Sequence, residues 1–469
     1  MLPYSTHTVD ETQFRQETKR MFSAEIEKRT PAGIAAGVGR LIHSGRLSVG
    51  DRLPTVREIA TELGVSPATV SQAWQALASV GLIISRGRNG TFVREQPARR
   101  TTPRNQLAAQ LTLKPRLELS SGTPDPALLP ALGPALSRVS ERAVTSSYQD
   151  LSVLPELLAH LHDSWPYPAE TFTIVNGALD ALSRSLEQVT RFGDRVVVEN
   201  PGFPPFFDLL DQLGLERLPV DVDENGIVPA ALAQALTRSP AAVILQPRAH
   251  NPTGASMPAE RAKELADLLR GSDVVVIEDD HSGDISTAPD VSLGSWLPDQ
   301  VLHIRSYSKS HGPDLRIAAL GGPADLIDKI VARRMLGPGW TSRMLQTILH
   351  DLLTGTDSLA EVAEAKRSYA ERQKALADAL NQLGLPVRQA DGINAWLPVV
   401  DEQSAIVELA ASGIRVAGGS PFFAAGSAES YIRVTAGAVT GDMHAVAESL
   451  ASAARAGAPG AHGLHARWA

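Results

Sequence analysis

Apolar positions change their period several times along the chain, and each change marks an element. Val56, Ile59, Ala60 and Leu63 recur at helical spacing, which predicts a helix over Thr55–Leu63 stopped by Gly64. Val70, Ala73, Trp74 and Leu77 form a second stripe, with Ser66 as N-cap and Pro67 at the first helical position. Ala32–His43 reads as an earlier helix. Two helices joined by Leu63-Gly64-Val65-Ser66 make a helix-turn-helix, whose second helix is the one that enters a DNA major groove. The run GLIISRGRNGTFV then reads strand, turn, strand, because Asn89 and Gly90 tolerate the positive φ of a tight hairpin. That hairpin is the expected wing.

Further along, the helical stripes give way to short β-branched runs at Val196–Glu199, Val243–Gln246, Val274–Glu278 and Val301–Arg305. Helical stretches such as Pro258–Arg270 lie between them. Apolar strands alternating with helices predict a largely parallel α/β sheet covered by helices. Between the two regions, Gln96 to Arg116 sustains no period over its whole length and holds three prolines, five basic residues and no acidic ones. It reads as a semi-stiff, solvated linker. The expected organisation is a winged helix-turn-helix over 1–95, a linker over 96–117 and a large α/β domain over 118–469.

Composition narrows the class. A chain of 469 residues is too long for one ordinary core. With 43% hydrophobic and 20% charged residues it is globular, and it has no apolar run of about 18 residues that would span a membrane. The first 30 residues carry Asp10, Glu11, Glu17, Glu25 and Glu27, which does not suit a secretory signal. The chain has no cysteine, which rules out disulfides and thiolate metal sites; no metal is expected, and the expected location is the cytoplasm. Charge is divided unevenly: residues 1–117 hold 17 Lys/Arg against 9 Asp/Glu, a balance of +8, and the rest of the chain balances at −16. A basic head on an acidic body suits a partner made of double-stranded DNA, although chance clustering on a solvated surface would give the same count.

Ligands of open α/β sheets gather at the carboxyl ends of the strands. The residues there are Pro201-Gly202-Phe203, Asn251-Pro252-Thr253-Gly254, Asp279-Asp280-His281 and Ser306-Tyr307-Ser308-Lys309. As a set they suit pyridoxal 5'-phosphate. A lysine in a dry pocket forms a Schiff base with an aldehyde, which nominates Lys309. A carboxylate beside the pyridine nitrogen keeps it protonated, a role for Asp279. Asn251 offers an amide to the phenolic oxygen, and Phe203 a ring to stack on. The helix opening at Asn176-Gly177-Ala178 offers backbone N–H groups to the phosphate, with Ser306 and Arg316 completing the cradle. Taken singly, Asn-Pro-Thr-Gly is a plain turn and a lone lysine is usually solvated.

The stretch from Arg52 to Val93, RLPTVREIATELGVSPATVSQAWQALASVGLIISRGRNGTFV, resembles the DNA-binding head of the GntR family. The resemblance implies that Arg57 contacts DNA, that Ser66 and Thr69 face the groove, and that Arg86, Arg88 and Gly90 place the wing. It departs at Pro67, where many relatives have a basic residue. About residues 118–440 resemble fold-type I aminotransferases, and the fusion resembles the MocR/PdxR branch of GntR regulators. This implies that Arg433, in YIRVTAG, grips an amino-acid carboxylate, and that Tyr148 reaches the phosphate of a neighbouring subunit in a homodimer. His281 stands where the family usually has a tyrosine bonded to the phenolic oxygen, and the segment around Tyr148, YQDLSVLPEL, is also altered. Two functions stay open: a regulator that senses pyridoxal phosphate or an amino compound through aldimine formation, and an active aminotransferase carrying a DNA-binding head.

Overall fold

The computed structural model describes residues 21–94, except 23–24, 27–28, 44–45, 80–82 and 88–89, and residues 115–456, except 143–151. The chain divides into two compact units, Met1–Pro103 and Arg104–Ala469.

In the first unit, α1 (Pro31–His43) is followed by β1 (Arg52–Leu53), α2 (Val56–Leu63), α3 (Pro67–Ser79), β2 (Ile83–Ser85) and β3 (Thr91–Val93). The expected α3 stripe of Val70, Ala73, Trp74 and Leu77 is buried, and it joins Ile34, Val38, Leu41, Ile59 and Leu63 in one core. Thr55 stands just outside α2 rather than within it. Its hydroxyl accepts from the Glu58 amide, and Glu58 accepts from the Thr55 amide at 2.8 Å, a capping box that satisfies two donors otherwise left open. Gly64 ends α2 at φ 65°. The Ser66 hydroxyl accepts from the Thr69 amide at 3.2 Å, as expected of an N-cap. β3 pairs antiparallel with β2 to form the hairpin and also with β1, a two-residue strand too short to show a period.

In the second unit, β4 (Leu117–Glu118) precedes β5 (Thr171–Val175), β6 (Arg195–Asn200), β7 (Glu216–Asp223), β8 (Gly226–Ile227), β9 (Ala242–Leu245), β10 (Val275–Asp280), β11 (Val301–Ser306) and β12 (Ala318–Gly322). The eight-stranded sheet has the order β5-β12-β11-β10-β9-β6-β7-β8. The four runs expected as strands are β6, β9, β10 and β11, which lie side by side and parallel at its centre. Alternate residues go to opposite faces: Val197, Val243 and Val276 to one core, Val196, Ile244 and Ile277 to the other. β12 runs antiparallel to both β11 and β5, so β5 regains the direction of the central strands. Its carboxyl end therefore opens on the same edge as theirs, and that is where the helix Ala178–Val189 begins.

A smaller lobe follows, with β13 (Ala395–Val399), β14 (Ile414–Arg415), β15 (Ala417–Gly418) and β16 (Ser430–Val434). β16 pairs with β13 and β15, and Leu397, Ile432 and Val434 face a core shared with Leu409 and Leu450 from two helices. β14 pairs with β4, so Leu117, assigned from sequence to the end of the linker, is held to Ile414. Among the described residues no helix is long and apolar enough to cross a membrane.

Candidate ligand site and nucleic-acid interface

In the head, the side chains nominated for DNA point outward from a small core. Arg57, in the first turn of α2, and Ser66, before α3, are exposed, and Thr69 is half-exposed. The Ser66 and Thr69 hydroxyls lie 2.8 Å apart, so a groove would meet a pair already bonded to each other. Arg86 leaves the hairpin exposed, its guanidinium 5.3 Å from the Phe92 ring centre. Gly90 has φ 103°, and a Cβ there would lie 2.7 Å from Nε of Arg52. Only glycine fits that turn, and Arg52 is a basic neighbour of the wing that the sequence pattern did not single out. Arg88 lies outside the described residues.

In the larger unit, the strand ends converge. Asp279 is buried near the end of β10; its Oδ2 accepts from Gln246 Nε2 at 2.8 Å, while its Oδ1 has no partner. Asn251 is buried on the turn after β9, its Oδ1 accepting from Arg433 Nη1 at 3.2 Å. Arg433 comes from β16, opposite Trp396 of β13, and its guanidinium lies 5.1 Å from the centre of the Phe422 ring. Arg433 also donates to the Ser120 carbonyl, and among the described residues it has no carboxylate partner. Lys309 donates through Nζ to the carbonyl of Gly122. These two carbonyls, from the segment just after β4, carry no sequence signal because any residue supplies one.

The opposite end of the site is built by the helix Ala178–Val189. Its N-cap, Gly177, is buried at φ 97°, and no side chain caps the helix. Arg316, in the left-handed region at φ 49°, lies alongside: a Cβ on Gly177 would be 3.4 Å from its Nη2. The Ser306 hydroxyl is buried and sits 2.8 Å from that of Ser308. Phe203 caps the helix Pro204–Leu213, edge-on to Phe206 at 5.3 Å. Tyr148 lies outside the described residues.

Enclosure changes the proton affinities in a consistent direction. Burial, with Arg433 nearby, lowers the Lys309 amine to about 8, against a weaker pull from Asp279. Burial raises Asp279 to about 7, opposed by the Gln246 hydrogen bond. His281 is lowered to about 3, first by burial and then by the Lys309 charge, so it is a neutral imidazole; its Nδ1 is buried without a partner. Burial also brings Arg433 down to about 10. A lysine poised to lose its proton beside an arginine without a carboxylate is an arrangement for a carbonyl and an anion.

Two neighbouring contacts were not legible in the sequence. Arg248 forms two bonds to Asp280, at 3.0 and 2.7 Å, which fixes the end of β10 between Asp279 and His281. Asp391 ties the smaller lobe to the loop after β10 through the Thr287 amide at 2.8 Å and to the segment after β9 through the Ser256 hydroxyl at 3.1 Å. Both join residues distant in sequence, and neither follows a local pattern.

Residues 31–93 match the family of bacterial regulatory proteins, gntR family, and residues 114–450 match aminotransferase class I and II. The chain is 38% identical to the vitamin B6 salvage pathway transcriptional repressor PtsJ of Salmonella typhimurium, over 85% of this chain and 92% of that one. It is 27% identical to the pyridoxine biosynthesis transcriptional regulator PdxR of Corynebacterium glutamicum, over 82% of this chain and 87% of that one. Among solved structures, the α-aminoadipate aminotransferase LysN of Thermus thermophilus, bound to a phosphopyridoxyl-leucine, superposes with a TM-score of 0.65. The identity is 23%, covering 75% of this chain and 96% of that one. A DNA-binding head of one family fused in this order to the fold of the other leaves one assignment: the chain belongs to the GntR-type transcription regulators that carry an aminotransferase class I and II domain.

Proposed function

We propose that the larger unit holds pyridoxal phosphate, and that the regulator reads that compound, or an amino compound presented to it, as its signal. The observation that carries this is Asp279: a fully enclosed carboxylate with one oxygen bonded and the other open, on the same edge as Lys309 and an uncapped helix. A protonated pyridine nitrogen supplies the donor that Oδ1 lacks. Bound pyridoxal phosphate supplies an aldehyde that condenses with primary amines and a ring that withdraws electrons.

The chain's own residues divide the remaining tasks. Lys309 is the resident amine, kept partly neutral by its enclosure. Asn251 and the neutral ring of His281 address the phenolic oxygen, and Phe203 the ring face. The amides at Gly177 and Ala178, with Ser306 and Arg316, hold the phosphate. Arg433 grips the carboxylate of an amino compound, fork to fork. Tyr148 acts across the interface of a homodimer, and 118–469 forms the effector domain, joined through 96–117 to a head over 1–95. In that head Arg57, Ser66, Thr69, Arg86, Arg88 and Gly90 form the DNA surface. The protein works in the cytoplasm, on promoter half-sites.

The test is spectroscopic. Added pyridoxal phosphate should give the protein a visible absorption band that Lys309→Ala lacks; a colourless wild type in excess cofactor would sink the proposal. Amino acids should then change the spectrum with turnover far below the enzyme scale of about 10 per second. Sustained turnover at that scale would instead establish a working aminotransferase.

A further inference from the structure

We propose that Gln246 is a positioning residue that aims Asp279 at the ring nitrogen and holds it in register with Asn251. The inference rests on the reading of Asp279 given above and adds to it the group that sets its direction.

Gln246 follows the last residue of β9 and is 3% exposed. Both ends of its amide are used. Nε2 donates to Asp279 Oδ2 at 2.8 Å, and Oε1 accepts from the backbone N–H of Asn251 at 2.8 Å. Its own backbone N–H donates to Glu199 Oε2 at 2.9 Å, which anchors the residue to β6. Asn251 continues the chain to Arg433. One side chain thus joins the residues assigned to the ring nitrogen and the phenolic oxygen, and through Asn251 reaches the one assigned to the ligand carboxylate.

A carboxylate can rotate about its last bond, so a single bonded oxygen decides where the other points. The Gln246 amide donor pins Oδ2 and leaves Oδ1 free in the site. The polarity is specific. Glutamine can donate to a carboxylate and accept from an amide at the same time, whereas ionised glutamate can only accept and methionine offers neither. A residue that merely filled space between β9 and β10 would not need that pairing of donor and acceptor.

The experiment titrates pyridoxal phosphate into the full chain across a range of pH, following the visible band, with wild type, Gln246→Glu and Gln246→Met. Loss of a hydrogen bond to a charged group should weaken binding about tenfold or more in Gln246→Met at every pH. Gln246→Glu should recover toward wild type as pH falls, because the introduced carboxyl donates to Asp279 once protonated, and should bind worst at high pH. Asp280, Glu199 and His303 lie near Asp279, His250 near His281, and Arg433 near Lys309; all are common to both variants, so the difference between their pH profiles isolates position 246. Matching melting curves and unchanged DNA binding show that both variants fold. Wild-type affinity in both, or identical pH profiles, would overturn the positioning role. A wild type without the band overturns the cofactor reading itself, before any variant is compared.

Discussion

The two units put the side chains proposed to do their work in opposite environments. In the head, Arg57 and Arg86 are exposed and the apolar residues behind them only fix their direction. In the larger unit, Asp279 and Arg433 are 3% and 5% exposed, and their enclosure is what alters their chemistry. A surface that meets a polyanion needs charge kept in water until the partner arrives, whereas a site that captures an aldehyde needs a dry amine. Mutations should therefore separate in the ligand-free protein: those in the head should change DNA affinity, and those at the strand ends should change ligand capture and, with it, only the ligand's effect on DNA binding.

The largest separation comes from Lys309→Ala, which should abolish the visible band completely while leaving DNA affinity of the ligand-free protein within about twofold. Absorbance and anisotropy on one preparation measure both; a parallel loss of DNA binding would break the comparison. Next, Arg57→Ala should cost about 1–3 kcal/mol in DNA binding with a normal cofactor band. Third, an amine lowered from its usual value to about 8 is mostly protonated at pH 7 and mostly neutral at pH 9. Capture of pyridoxal phosphate should therefore quicken about tenfold across that interval and level off above it. An amine in open water would keep gaining rate toward pH 10, so a midpoint near 8 sharpens the contrast with the exposed head. The smallest effect is Thr55→Ala, which removes half of the capping box and should cost about 1 kcal/mol, seen only in the melting of the head.

Legibility followed the same division. Elements of the head announced themselves locally, since α3 and its cap lie within a few residues of each other. The misplacement of Thr55 inside α2 by one residue came from reading apolar period ahead of the T-x-x-E signature that marks a cap. In the larger unit the central strands were legible as β-branched runs, but β12 was not among them. AALGG is short and glycine-rich, and only its pairing with β11 and β5 makes it a strand. Lys309, Asp279 and Asn251 could be nominated as residue types at strand ends, and Arg433 through the family resemblance. Gln246, Arg248 and the carbonyls of Ser120 and Gly122 could not, because their roles exist only once distant strands lie side by side.

The place of β12 also sets an order of events during synthesis. β5 lies at the sheet edge with β12 as its only strand neighbour among the described residues, so residues 171–175 must wait for residues 318–322 before they can pair into the sheet. The helix that begins at Ala178 packs on β10 and β11 as well, so it too waits for residues beyond 275. The core of the head, in contrast, closes within residues 22–93. Domains emerging from the ribosome fold as units, amino-terminal first, and long-range pairing is slow. The reader of DNA is thus complete while much of the ligand site is still untranslated, so a nascent chain passes through an interval in which it can meet DNA but has no means of answering to a ligand.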